Sequence, residues 1–180
     1  MSASNDTTEL TIAELATPDA RDVGELADVL IDCVEGGASV SFMLPLARDH
    51  ALEFWRKVAR EAEAGRRVLL VARDARGICG TVQLVLDLPD NQPHRADVAK
   101  MLVHRRARRQ GVGAALMRAA EAAARARGRN LLVLDTVTGS DASRLYERQG
   151  WVRVGDIPRY ALWPHGGFVG TTYYYRDLSA

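Results

Sequence analysis

The period of the hydrophobic positions changes several times along the chain, and each change marks an element. Leu10 to Leu15 begins as a short apolar-polar alternation, the repeat of a half-buried strand. Thr17-Pro18-Asp19 then supplies helix-start chemistry, and Val23, Leu26, Val29 and Leu30 recur at helical spacing until Gly36-Gly37. A second helix is predicted from about Leu46 to Ala64, with Leu52, Trp55, Val58 and Ala59 on its buried face and Gly65 ending it. Val68-Leu69-Leu70-Val71-Ala72 reads as a buried strand, Asp74-Ala75-Arg76-Gly77 as a hairpin turn and Ile78 to Leu86 as the partner strand. Asp87 to His94, with two prolines and an asparagine, is a loop. A strand over Ala96 to Val103, a glycine turn, and a helix over Gly111 to Arg127 follow, with Glu121 and Arg125 paired on the wet face and Gly128 closing the helix. Leu131 to Leu134 reads as a strand, Asp141 to Gln149 as a short helix, and Trp151 to Leu162 and Gly170 to Arg176 as β-rich segments.

Strand, helix, strand across 96 to 135 is a βαβ unit, which sets its two strands parallel and side by side. With a hairpin before it and two β segments after it, the expected class is α/β: a mixed, mostly antiparallel sheet with helices on both faces. No internal repeat or linker interrupts the pattern, so residues 9–180 are expected to form one domain behind a flexible tail at 1–8.

Composition narrows the partners. Lys and Arg total 24 against 23 for Asp and Glu, so the basic run at 105 to 109 is local and not part of a surface broad enough to hold a duplex. Nucleic acid is therefore not expected as a partner. Cys33 and Cys79 fit neither a metal-ligand spacing nor a disulfide framework, which points to a reducing compartment. Met1 to Thr8 lacks the basic leader and apolar core of a signal peptide, and no later run approaches membrane-spanning length, so a cytoplasmic protein without a membrane partner is expected.

The most informative stretch is Arg108-Arg109-Gln110-Gly111-Val112-Gly113, between a strand and an alanine-rich helix. Such a turn points unpaired backbone N–H groups, backed by the positive end of the helix dipole, at an arriving anion. Gly111 and Gly113 would let the backbone approach phosphate oxygens, while Arg105, Arg106, Arg108 and Arg109 would supply charge at the rim. A helix start preceded by a solvated basic loop is the competing interpretation of these residues taken alone.

Two signatures in order decide between them. Val103 to Gly113 resembles the acetyl-CoA loop of the GCN5-related N-acetyltransferases (GNAT), and Leu145-Tyr146-Glu147-Arg148-Gln149-Gly150-Trp151 resembles the second signature of that family, at its usual separation. The resemblance implies the GNAT fold and acetyl-CoA as co-substrate, while the lack of a His or Cys grouping able to hold zinc leads to the expectation of no metal. It implies that Met101, Leu102 and Val103 pair through their backbone with the pantetheine arm and that Leu102 or Val103 donates an N–H to an oxyanion. By the same likeness, Arg108, Arg109, Gln110, Gly111, Val112, Gly113 and Ala114 take the pyrophosphate. Tyr146 would be the general acid for the departing thiolate, a phenol being protonated at neutral pH. Asp97 occupies the position of a family glutamate that deprotonates the amine through a water. Asp135, placed at the end of its strand, competes with Asp97 for the role of base or ammonium anchor. The Gly36 to Met43 loop is expected to overhang the acceptor, with Ser39 and Phe42 lining it, and Tyr160 is expected on the opposite wall among other C-terminal aromatics. His104 is expected at the surface and not as a base. With no zinc-binding grouping and no nucleophile elbow, direct transfer in a ternary complex is expected.

Further stretches, among them Gly36 to Met43, His94 to Val98, Leu134 to Thr136 and Arg153 to Pro158, resemble the tabtoxin-resistance branch of that family, whose members acetylate a β-lactam amino-acid toxin. This points to a small-molecule amine, such as an antibiotic or toxin amino acid, as acceptor. Protein or peptide acetylation and a noncatalytic acyl-CoA-binding module are the alternatives, with a monomer or a homodimer as the expected state.

Overall fold

The computed structural model describes residues 10–179, and the predicted tail at 1–8 lies outside the described residues. Seven strands and four helices follow one another as β1 (Thr11–Glu14), α1 (Ala20–Glu35), α2 (Arg48–Glu63), β2 (Arg67–Asp74), β3 (Gly77–Val85), β4 (Arg95–Val103), α3 (Val112–Arg125), β5 (Leu131–Val137), α4 (Asp141–Arg148), β6 (Val152–Leu162) and β7 (Phe168–Asp177), with a single 3-10 turn at Arg105–Ala107. They form one mixed sheet in the order β1-β2-β3-β4-β5-β7-β6. Only β4 and β5 run parallel, as the βαβ pattern predicts.

Local chemistry explains the helix starts. Asp19 caps α1 by accepting the Asp22 N–H at 2.8 Å, and the Asp22 carboxylate accepts the Asp19 N–H at 3.1 Å, a reciprocal capping box. No side chain caps α2; instead Arg48 at its start pairs with Asp28 of α1. The two helices cover one face of β2 to β4, burying Leu26, Leu30, Trp55 and Val58 against Leu69, Val71 and Leu102. Leu52 is only half-buried, because the α2 face that meets the sheet centres on Trp55. On the other face α3 buries Val112, Leu116, Met117 and Ala120 against Val82, Leu84 and Val98. Each fully buried leucine contributes roughly 1.5–3 kcal/mol. A Cβ on Gly80 would meet Leu102 O and the Val112 and Leu116 side chains at 3.1 Å, so this glycine lets α3 lie close on β3.

The bounds differ from expectation where long-range pairing decides them. β5 runs to Val137, past the predicted end at Leu134, because Asp135, Thr136 and Val137 pair with Tyr173, Thr172 and Thr171 of β7. Asp135 is thus inside a strand and not at its end. Gly111 has φ 78° and stands before α3 as its cap, not within the helix. β4 pairs with β5 only through Arg95, Ala96 and Asp97, opposite Leu131, Leu132 and Val133, and beyond that point the strands part. In the same stretch the β3–β4 register slips between Thr81 and Gln83, so Lys100 and Met101 bulge opposite Val82.

The β2–β3 turn is tied to α1 by Glu25. Its carboxylate accepts the Ile78 N–H at 2.8 Å and pairs with Arg73 at 3.0 Å and Arg21 at 2.8 Å, while a Cβ on Gly77 would fall 2.8 Å from it. Burial alone pushes the Glu25 carboxyl up, but the Ile78 N–H and the two arginines together hold it below its ordinary value of 4.5. A depressed folded-state value contributes stability above pH 4.5 that is lost as pH falls through the folded-state value. Glu25→Gln is expected to lower the urea midpoint at neutral pH and to narrow the gap to wild type in acid; parallel midpoint curves at every pH would refute this.

Candidate active site

Where β4 and β5 part, a cleft of about 1290 Å³ opens between the head of α3, the start of α4, the α1–α2 loop and the far end of β6. Of the residues that the sequence marks for function, all but Asp97, Arg105, Arg106 and Gln110 line it.

At its α3 end the backbone takes an unusual path. Arg109 has φ 59° and Gly111 φ 78°, both in the left-handed region, so the chain turns sharply between β4 and α3. Ala115 is the first residue of the helix whose N–H finds an acceptor, the Gly111 carbonyl at 3.0 Å. From Arg109 to Ala114 no backbone N–H has a partner among the described residues. Those donors, with the helix dipole behind them, form an anion cradle. Gly113 serves differently from what its spacing implies, since a Cβ there would lie 3.2 Å from Leu145 of α4 and not in the open turn.

The basic rim is smaller than predicted. Arg105 pairs with Asp32 and Arg106 with Asp74 at 3.0 Å, so both guanidiniums fasten the loop to distant parts of the fold. Arg108 Nε donates to the Val103 carbonyl at 3.1 Å, and Arg108 and Arg109 alone of the four border the cleft. Gln110 turns its side chain back to the Arg106 carbonyl at 3.0 Å, leaving only its backbone toward the turn. His104 is half-buried and caps the 3-10 turn, its Nδ1 accepting the Arg106 N–H at 3.1 Å.

Tyr146 projects from α4, which Ser140 caps through the Ser143 N–H at 3.2 Å. Its ring packs on Trp151 and Tyr174 with centroids 5.9 and 6.1 Å away, and the residue is 4% exposed. The hydroxyl has no hydrogen-bond partner among the described residues, yet it is not one of their sealed, unsatisfied polar atoms. It therefore looks into the cleft. Burial first, and the negative charge of Asp135 second, raise its pKa well above the ordinary phenol value.

Asp135 borders the cleft from β5, its Oδ2 2.8 Å from the Thr171 hydroxyl. Asp97 points to the same face of the sheet, since its register partner Val133 lies two residues before Asp135, a step of roughly 7 Å. It pairs instead with Arg95, two residues back on the same face of β4. The two carboxylates are thus not equivalent: one faces the cleft, the other is held by an arginine behind it.

The α1–α2 loop roofs the cleft. Ser39 Oγ donates to the Leu162 carbonyl of β6 at 2.8 Å and the Leu44 N–H to the Pro164 carbonyl at 2.9 Å. Phe42 is mostly buried, edge-on to His50 and Phe54. Opposite, the Tyr160 and Tyr173 hydroxyls lie 3.0 Å apart, which with burial pushes Tyr173 up to about 12.

Ser41 borders the cleft as part of the overhanging loop, and Lys100 and Thr171, which escaped the sequence reading, border it too. Lys100 carried the one available signal: it and Lys57 are the only lysines among the 24 Lys and Arg residues, and this one interrupts an apolar run of its strand.

Residues 65–153 match the pattern described as the acetyltransferase (GNAT) domain. A relative from Azospirillum brasilense, named as an uncharacterized N-acetyltransferase in the hisH–hisA intergenic region, is 32% identical over 130 residues, 71% of this chain and 76% of that relative. The chain belongs to the GNAT acetyltransferase family. Solved structures repeat its fold at lower identity. An acetyltransferase of Salmonella typhimurium, crystallised with its cofactor acetyl-CoA, aligns over 94% of both chains with a TM-score of 0.76 at 18% identity. A ribosomal-protein-alanine N-acetyltransferase of Brucella melitensis aligns over 93% of this chain and 99% of its own, with a TM-score of 0.75 at 20% identity. This GNAT chain therefore shares its sheet and helix order with enzymes of differing names, and its acceptor must be argued from its own cleft.

Proposed function

We propose that this GNAT enzyme transfers an acetyl group from acetyl-CoA directly to the amine of a small molecule, with an antibiotic or toxin amino acid as the acceptor class. The observation that carries this reading is the run of unpartnered N–H groups from Arg109 to Ala114, opening into the same cleft as Tyr146 and Asp135. Bound acetyl-CoA would supply an activated acetyl thioester. The cradle at the head of α3 holds its pyrophosphate, with Arg108 and Arg109 adding charge. Met101, Leu102 and Val103, on the stretch of β4 that has left β5, offer backbone groups to the pantetheine arm, and the N–H of Leu102 or Val103 stabilises the developing oxyanion.

Tyr146 donates its hydroxyl proton to the thiolate. Asp135 receives the acceptor's ammonium, takes its proton, and leaves a neutral amine to attack. The geometry favours Asp135 over Asp97 for that task, because Asp97 is engaged by Arg95 outside the cleft lining. Ser39, Phe42 and Tyr160 bound the acceptor end, and the bridges from the α1–α2 loop to Leu162 and Pro164 enclose it, which favours a small acceptor over a peptide chain.

Calorimetric titration with acetyl-CoA, followed by a thiol-release screen of amines and amino-acid antibiotics, tests the reading; no heat and no thiol would defeat it. Gly111→Ala probes the cradle. At φ 78° a Cβ costs about 1–2 kcal/mol, so the variant is expected to unfold at lower denaturant and to bind acetyl-CoA more weakly. Undiminished affinity in the destabilised variant would remove this turn from coenzyme binding.

A further inference from the structure

We infer that Lys100 holds an acidic group of the acceptor, so that the cleft selects amines that also carry a carboxylate or a similar oxyanion. The inference rests on the small-amine reading above and names the chemistry of its acceptor.

Lys100 sits on the β4 bulge with φ 51°, and Ser41, the loop residue it meets, has φ 78°. Neither residue is a glycine, and both borrow a backbone conformation that L side chains rarely take. The strained pair converges: Lys100 Nζ is 3.0 Å from Ser41 Oγ and 5.8 Å from the centre of the Phe54 ring. A lysine that merely solvated a bulge would extend into water. This one is laid under the α1–α2 loop, and among the described residues its ammonium forms no ion pair.

Its surroundings match a bifunctional ligand. Burial lowers the Lys100 pKa foremost, the field of Asp135 opposes this, and Arg67 adds to it. The charge of Asp135 thus reaches Lys100 although no contact joins them among the described residues, and both border the cleft that Tyr146 lines. An ammonium placed at Asp135 and a carboxylate placed at Lys100 would neutralise both sites at once, giving the Lys100 ammonium an anionic partner in place of the neutral Ser41 hydroxyl alone. Ser41 supplies a hydroxyl beside the same oxygen position. Lysine also suits the role sterically, because it delivers a compact point charge where the forked guanidinium used nearly everywhere else in this chain needs a wider planar partner.

Thiol release from acetyl-CoA is measured with a panel of α-amino acids and with the matching α-carboxamides, for wild type, Lys100→Met and Lys100→Arg. Wild type is expected to favour the acids by about 10- to 100-fold in kcat/KM, the range of a hydrogen bond between charged groups. Lys100→Met is expected to bring that ratio close to unity, mainly through KM for the acids, and Lys100→Arg to restore part of it. Acetyl-CoA calorimetry on each variant confirms that it is folded. A wild type that turns over amides as well as acids, or a preference for acids that survives Lys100→Met, overturns the inference. No thiol release with any amine overturns the small-amine reading, and this inference with it.

Discussion

Tyr146→Phe is expected to lower turnover at least about tenfold while leaving acetyl-CoA affinity unchanged, the signature of a lost proton-transfer group. The substitution is unusually clean here. The phenylalanine ring keeps the contacts to Trp151 and Tyr174, and the hydroxyl it removes bonds to no described residue, so little stability should be lost with it. The sign of the titration agrees with the role. Burial and Asp135 both raise the Tyr146 pKa, so the phenol keeps its proton across the neutral range and has one to give. Steady-state rates set beside calorimetric affinities decide the matter, and full turnover in the phenylalanine variant would exclude Tyr146 from the reaction.

The second large effect concerns the carboxylates. Asp135→Asn is expected to reduce kcat/KM by about 100-fold, within the range for one acid-base group, while Asp97→Asn stays within about threefold. Asparagine preserves the shape of the side chain and can still accept from the Thr171 hydroxyl, so the loss reports the missing charge and not a collapsed strand. At Asp97 the same change deletes an ion pair with Arg95 whose members are partly exposed, an interaction of modest worth. Equal losses from the two substitutions would contradict the assignment of Asp135, and a larger loss at Asp97 would reverse it.

What could be read along the chain was local. The glycine turn, the caps, the hairpin and the parallel unit all announce themselves within a few residues, and the sheet they build has the expected mixed character. Even the pairing of Asp97 was within reach, since Arg95 stands two residues earlier and a two-residue repeat puts both on one face. Features set by remote partners were not legible. The extent of β5 depends on β7, which arrives more than thirty residues later. Arg105 and Arg106 look like free rim charges until Asp32 and Asp74 come to meet them. The bulge that presents Lys100 arises from a register slip against β3, which no periodicity within β4 reveals.

Because β7 slots between β5 and β6, the order of assembly differs from the order of synthesis. A nascent chain halted before Phe168 already holds the glycine turn and α3, but β5 has an open edge and Asp135 lacks its threonine partner. The last strand to be synthesised therefore closes the β5 edge and completes the core beneath Tyr146, through Tyr174. Chains that stop short of it are expected to acetylate nothing.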